Sequence, residues 1–449
     1  MDVDDTSSSH AALIFNLNPM QRLSVLPGVF VASLIVVLAK PGAAQPDSTR
    51  SNRDSVTLDS VFRAHRYPVT LHNGRLSGPG AAFLAKATRR AQFVMMAESH
   101  YVGEIPQFTA AWFDELKRTR GFDYYAIEYG PTVGRLLSVR PVRGDTAATI
   151  ALGARYPHAF QFLNDEELEA MASIARRSTA ASPIWGLDNE WGALHLLDRL
   201  IAIAPNASAR RAATRLADSA RQIEKDRGIS GEQARFISEV DTLLLRPLRV
   251  AFNPRAGTEA DRLLEALEIS NRLYTFNDAA GKGHLTGYRA NLEREQYQKR
   301  LFMENYRAAQ RAGDTLPHVL LKFGSLHGAK GLSRTNVYTF GNFIHEFAAA
   351  NSAESFHLVA WLVNEPGKYW SITEEKGYGP LGRAGSTGEW VVVDLRPMRP
   401  LVHAGRLRGL SQELRSAIFG YDAVLLIGNG TRGTYDALLK ARGSAQTRP

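Results

Sequence analysis

The stretch Phe93-Val94-Met95-Met96-Ala97-Glu98-Ser99-His100 is an apolar run that breaks into an acid, a serine and a histidine. After it, Phe108, Trp112, Phe113 and Leu116 recur at the spacing of one buried helix face, and the segment stops at Gly121. A second apolar run, Tyr124-Tyr125-Ala126-Ile127, then ends in Glu128-Tyr129-Gly130-Pro131. The pattern predicts strand, helix, strand, with an ionisable group at each strand end. Parallel strands joined by a helix place their C-terminal ends on one edge of the sheet. Glu98, His100 and Glu128 are therefore expected to converge.

The same pattern returns further along the chain. Ile184-Trp185-Gly186-Leu187 runs into Asp188-Asn189-Glu190, and His318-Val319-Leu320-Leu321-Lys322-Phe323 runs into Gly324-Ser325-Leu326-His327-Gly328. Residues 356–363, 390–395 and 421–428 have strand composition, and helical patterns separate the runs. Strands alternating with helices predict an α/β fold, a mainly parallel sheet flanked by helices. Residues 206–312 differ, because Leu, Ile and Ala alternate with charges at helical spacing almost throughout. They are expected to form a large inserted helical lobe. The predicted organisation is a leader and lead-in over 45–92, a first half of the α/β core over 93–205, the lobe, and a second half over 313–449.

Of the 449 residues, 44% are hydrophobic and 22% charged, which suits a globular chain. Lys and Arg exceed Asp and Glu by 54 to 45, and the excess is scattered, so no localised basic patch points to nucleic acid. The absence of cysteine excludes disulfides and thiolate metal sites. Met20-Gln21-Arg22, the apolar run over 23–38 and Gly42-Ala43-Ala44 have the order of a secretory signal. Cleavage is expected after Ala44, with translation starting at Met20 and residues 1–44 removed. The mature protein is then periplasmic or extracellular, with no stable membrane insertion.

Two histidines and three acids at four strand ends form the informative constellation: Glu98, His100, Glu128, Asp188 and His327, with Glu104 close by. Arg289 and Arg294, in a polar run of the lobe, are candidates to point back at it. Three chemistries fit. A histidine can take a proton from water while a carboxylate fixes its tautomer, and a second histidine or an arginine steadies the oxyanion. Two histidines and several carboxylates can hold a divalent ion for metal-assisted hydrolysis. A histidine can also serve as an axial ligand in haem or metal binding without catalysis. A serine nucleophile fits less well, because neither Ser99 nor Ser325 lies in a G-x-S-x-G elbow.

At these residues the chain resembles the erythromycin esterase-like superfamily, which also groups ChaN-like haem-uptake proteins and Tiki-type proteases. Met96-Ala97-Glu98-Ser99-His100 is similar to the family's first-strand motif, and Gly121 to Glu128 to the strand that ends in Glu. Gly186-Leu187-Asp188 and the run from Leu321 to His327 are similar to the later strands. Esterase members have two residues between the first Glu and the His. Here only Ser99 intervenes, as in the ChaN-like pattern. Gly324 stands where esterase members carry the first of two histidines. The resemblance implies His100 as the general base, Glu98 and Glu128 as its orienting carboxylates, and His327 as a contact to the substrate or tetrahedral intermediate. Glu104, Asp188, Arg289 and Arg294 rank behind them. The expected activity is hydrolysis of an ester or related acyl bond in a small-molecule substrate, without an obligatory metal. Haem or metal binding is the alternative.

Overall fold

The computed structural model describes residues 56–225, 236–281 and 287–446. The expected signal segment lies outside them. No helix among the described residues is long and apolar enough to cross a membrane.

Eleven strands are present among the described residues. In chain order they are β1 (Val56–Thr57), β2 (Arg66–His72), β3 (Arg75–Ser77), β4 (Ala91–Glu98), β5 (Tyr124–Ile127), β6 (Ile184–Gly186), β7 (Val319–Gly324), β8 (Glu354–Val363), β9 (Trp390–Asp394), β10 (Leu407–Arg408) and β11 (Ala423–Gly428). Nine of them form one sheet in the order β3-β2-β9-β11-β8-β4-β7-β5-β6. From β11 to β6 the pairing is parallel throughout. The fold is α/β with a mainly parallel sheet flanked by helices, as the alternation of strand and helix patterns predicts. Strands β9, β2 and β3 add antiparallel pairings at one side. Residues 66–77 carry no continuous apolar run, so this part of the sheet left little trace in the sequence. An edge strand solvated on one face needs only alternate apolar residues.

Every residue of β4 is buried, which is why its sequence reads as an unbroken apolar run. Its side chains alternate between two cores. Phe93, Met95 and Ala97 face one, with Phe302 and Phe340, while Val94 and Met96 face the other, with Phe108, Trp112 and Phe113. Burying each of these large side chains contributes roughly 1.5–3 kcal/mol. The helix Glu104–Arg120 that supplies Trp112 ends at Gly121, whose φ of 71° makes a left-handed cap.

The described residues of the expected lobe are helical, but they divide between two partners. Helices Ala207–Glu224, Thr242–Phe252 and Glu259–Gly281 pack around their own core of Ala213, Leu245, Leu248 and Leu267. The helix Gly287–Arg311 instead lays Leu301, Phe302 and Tyr306 on the sheet, with Phe93 and Phe302 edge to face at 5.5 Å. It therefore belongs to the sheet's covering layer and crosses near the C-terminal strand ends.

Candidate active site

Parallel pairing sets Glu98 beside Gly324 in register, and the ends of β4, β5, β6 and β7 form one edge. Glu98, His100, Glu128, Asp188, His327 and Arg294 all lie in a connected network on this edge. Two of the weaker candidates lie elsewhere. Glu104 accepts bonds from Thr431, at 3.0 Å from its amide and 2.8 Å from its hydroxyl, and so pins the loop after β11. Arg289 is exposed on the helix Gly287–Arg311, about one and a half turns before Arg294.

Strand alternation separates the network into two clusters. Glu98 continues the face of Val94 and Met96. On that side Lys322, in β7, lies 2.6 Å from Glu98 Oε1 and also pairs with Glu167 of the helix Asp165–Arg177. The side chains of all three residues are at most 5% exposed. Burial works to raise the Glu98 carboxyl, but the Lys322 ammonium and the bond from His100 outweigh it and hold it below the ordinary carboxylate range. Glu167 is pushed up, chiefly by burial and further by Glu98, against the pull of Lys322. Its Oε2 and the hydroxyls of Tyr125 and Tyr129 are buried without a hydrogen-bond partner. Those two phenols are driven well above their usual range by burial and by the carboxylates of Glu167 and Glu98.

The second cluster lies on the opposite face, under the helix Gly287–Arg311. Arg294 donates from Nε to Asp188 Oδ1 and from Nη2 to Glu128 Oε1, both at 2.8 Å, and Nη2 also reaches Asp188 Oδ2. Gln298, one turn on, donates to Asp188 Oδ1 at 3.2 Å. His327 donates from Nδ1 to Glu295 Oε1 at 2.7 Å and sets Nε2 3.7 Å from Glu128 Oε1. Burial works to raise Asp188, but Arg294 prevails and holds it below its ordinary range. Burial and Arg294 press the His327 imidazolium the other way, yet Glu295 and Glu128 prevail and raise it.

His100 joins the two. Its Nδ1 bonds Glu98 Oε1 at 3.1 Å, and its ring stacks on Phe162 with centroids 3.4 Å apart. An ionised carboxylate can only accept, so this bond places a proton on Nδ1, and in the neutral ring Nε2 carries the lone pair. The Nε2 edge lies against Gly324, where a Cβ would sit 2.7 Å from Nε2 and 3.2 Å from Glu128 Oε2. Any side chain at 324 would take the imidazole's place. His100 Nε2 and Glu128 Oε2 thus both lie close to the Cα of Gly324. The Gly324 amide donates to the same Glu128 Oε2 at 2.5 Å, which fixes that carboxylate.

His100 is also the accessible member, with 28% of its side chain exposed against 4% for Glu98, Glu128 and His327. Tyr101, directly after it, has φ of 66°, a left-handed conformation that costs a non-glycine residue about 1–3 kcal/mol. Gly433 donates to the Tyr101 carbonyl at 2.8 Å and Gly103 to the Thr431 carbonyl at 3.0 Å, so the loop after β11 walls the site beside the base.

Among the described residues, no three His, Asp or Glu side chains are grouped to hold a metal ion. The carboxylates of Glu98, Glu128 and Asp188 are instead engaged by Lys322 and Arg294.

Sequence reasoning missed Lys322, Glu167, Glu295, Gln298 and Phe162. A lysine inside an apolar strand was the available signal, since a buried ammonium needs a partner. Glu167 lies in the acidic first turn of the helix Asp165–Arg177, where an acid suits the positive helix end. Asn164 does cap that helix, accepting from the Glu167 amide at 2.7 Å, while the Glu167 side chain turns inward. Glu295 and Gln298 share a face with Arg294 at helical spacing, which a solvated helix would show equally.

No protein-family model and no curated protein matches the chain. Structural neighbours at low identity include a point mutant of erythromycin esterase EreC in its open conformation, at 15% identity over 78% of this chain and 94% of that one, with TM-score 0.49. A Bacillus cereus protein is similar at 10% identity over 84% and 98%, with TM-score 0.48. A succinoglycan biosynthesis protein is similar at 14% identity over 83% and 96%, with TM-score 0.47.

Proposed function

We propose that the chain is an exported hydrolase that cleaves an ester or related acyl bond in a small molecule with water activated by His100. One observation carries this reading. The partly exposed imidazole is tied at Nδ1 to a buried, ionised Glu98 and turns Nε2 toward the Glu128 carboxylate across the bare Cα of Gly324. In this reading Nε2 takes the proton of a water that attacks the acyl carbon. Glu98 steadies the imidazolium that forms. Arg294 and His327 lie on the facing side, where a developing oxyanion needs positive charge. His100 then returns its proton to the leaving oxygen. Export rests on the signal pattern of residues 1–44.

The test is an ester and lactone panel assayed with purified wild type and His100→Ala. The variant is expected to lose about 10²–10⁴-fold in kcat. Turnover that survives the substitution defeats the role given to His100. N-terminal sequencing of secreted protein tests export separately, with Gln45 as the expected first residue.

A further inference from the structure

Lys322 touches neither the exposed edge of the site nor any group from which a substrate could be reached. It is 5% exposed, in the middle of the sheet, and its ammonium lies between Glu98 and Glu167. A buried ammonium between two carboxylates is costly to maintain, and a well-packed apolar trio at this position would often be as stable. The arrangement calls for an explanation other than stability.

Charge balance supplies one. Glu98 is buried and accepts from His100 Nδ1 at 3.1 Å. A buried carboxylate requires a compensating positive charge. Two groups lie within reach to provide it, the Lys322 ammonium at 2.6 Å and the His100 imidazole if it binds a second proton. The other charged groups around the base do not compete for this role. Glu128, across Gly324, is paired with Arg294, and Glu167 shares Lys322.

We propose that Lys322 is the positioning residue of this base: it supplies the positive charge that buried Glu98 requires, spares His100 from supplying it, and so leaves Nε2 unprotonated. The upward push on Glu167 works in the same sense, because a carboxyl that ionises less readily competes less with Glu98 for the ammonium. Without Lys322 the Glu98–His100 pair holds one more proton. The pair can keep it as an imidazolium, or as a protonated Glu98 donating to Nδ1 with the ring hydrogen moved to Nε2. Either way Nε2 carries a hydrogen and the base is lost. The inference deepens the hydrolase reading and rests on it for the meaning of "base", but its measurement needs no turnover.

The experiment is nitrogen-15 NMR of histidine-labelled protein, with the His100 signals assigned by their loss in His100→Ala. In wild type near pH 7 Nε2 is expected to show the shift of an unprotonated imidazole nitrogen. In Lys322→Met it is expected to show that of a protonated one. The acidic limb of kcat against pH moves up with it. If Lys322→Met does not fold, Lys322→Met/Glu167→Met removes the ion pair as a unit and keeps Glu98, and the same change in Nε2 is expected. A folded variant whose Nε2 signal matches wild type overturns the proposal. An Nε2 change in a protein that hydrolyses nothing on the panel upholds the role of Lys322 and defeats the hydrolase reading. Hydrolysis with an unchanged Nε2 does the reverse.

Discussion

Two buried cations serve the same strand-end edge from opposite faces of the sheet, and they are held in different ways. Lys322 is built into β7 and is met by a helix from within the same α/β core. Arg294 comes from the helix Gly287–Arg311, is 18% exposed, and depends on that helix being docked. The chemistry follows the placement. An ammonium is a point charge, so Lys322 can neutralise Glu98 without orienting it, and the bond from His100 does the orienting. A guanidinium is a planar fork, and Arg294 uses it to hold Asp188 at two oxygens and Glu128 at a third position. The base side of the site is thus set by charge inside a rigid frame, and the facing side by geometry imposed across two elements.

That contrast can be broken by experiment. The largest effect is expected from Arg294→Met, which strands the buried carboxylates of Asp188 and Glu128. Loss of about 3–5 kcal/mol is expected in urea unfolding. The pH dependence has a definite sign. Asp188 is held below its ordinary value of 3.8, so its contribution is present above that pH and lost as pH falls through the lower folded value. In the variant that contribution is gone, so the deficit relative to wild type should hold down to about pH 4 and shrink as pH falls further through the folded Asp188 value. A deficit that stays constant below about pH 4 would show that Asp188 does not depend on Arg294.

A smaller effect is expected from Gly324→Ala at the seam between the two clusters. The added Cβ meets His100 Nε2 at 2.7 Å, so the ring must move. A fall of about 10²-fold in kcat is expected, with a stability loss of only about 1–3 kcal/mol. Turnover at the wild-type rate would mean that the imidazole does not work from the position seen here. The smallest effect is expected from Glu104→Gln, outside both clusters. It weakens the hold on Thr431 and should cost about 1 kcal/mol in thermal or urea unfolding, with kcat within about twofold of wild type. A large loss of turnover would return Glu104 to the site.

Much of this was legible in the sequence, for reasons that differ by residue. Glu98, Glu128, Asp188 and His327 each follow an apolar run buried on both faces, and such a run announces a central parallel strand and hence where its end lies. Arg294 was legible only as one polar residue in a long polar helix. Glu104 and Arg289 fit the same pattern of nearby charge, yet one pins a loop and the other faces solvent. The antiparallel strands β2 and β3 were not legible, because a partly solvated edge carries half the apolar signal.

The sequence by itself determined the parallel sheet and the convergence of its acids and histidines, because both follow from apolar runs and the handedness of strand–helix–strand crossovers. Only the tertiary structure decided which cation each acid meets. A carboxylate at a strand end can lean to either face, and its partner is chosen by whichever helix packs there. For Glu98 that choice is Lys322 with Glu167, and for Glu128 and Asp188 it is Arg294. His100 then sets its Nε2 edge against Gly324, where a side chain would meet it.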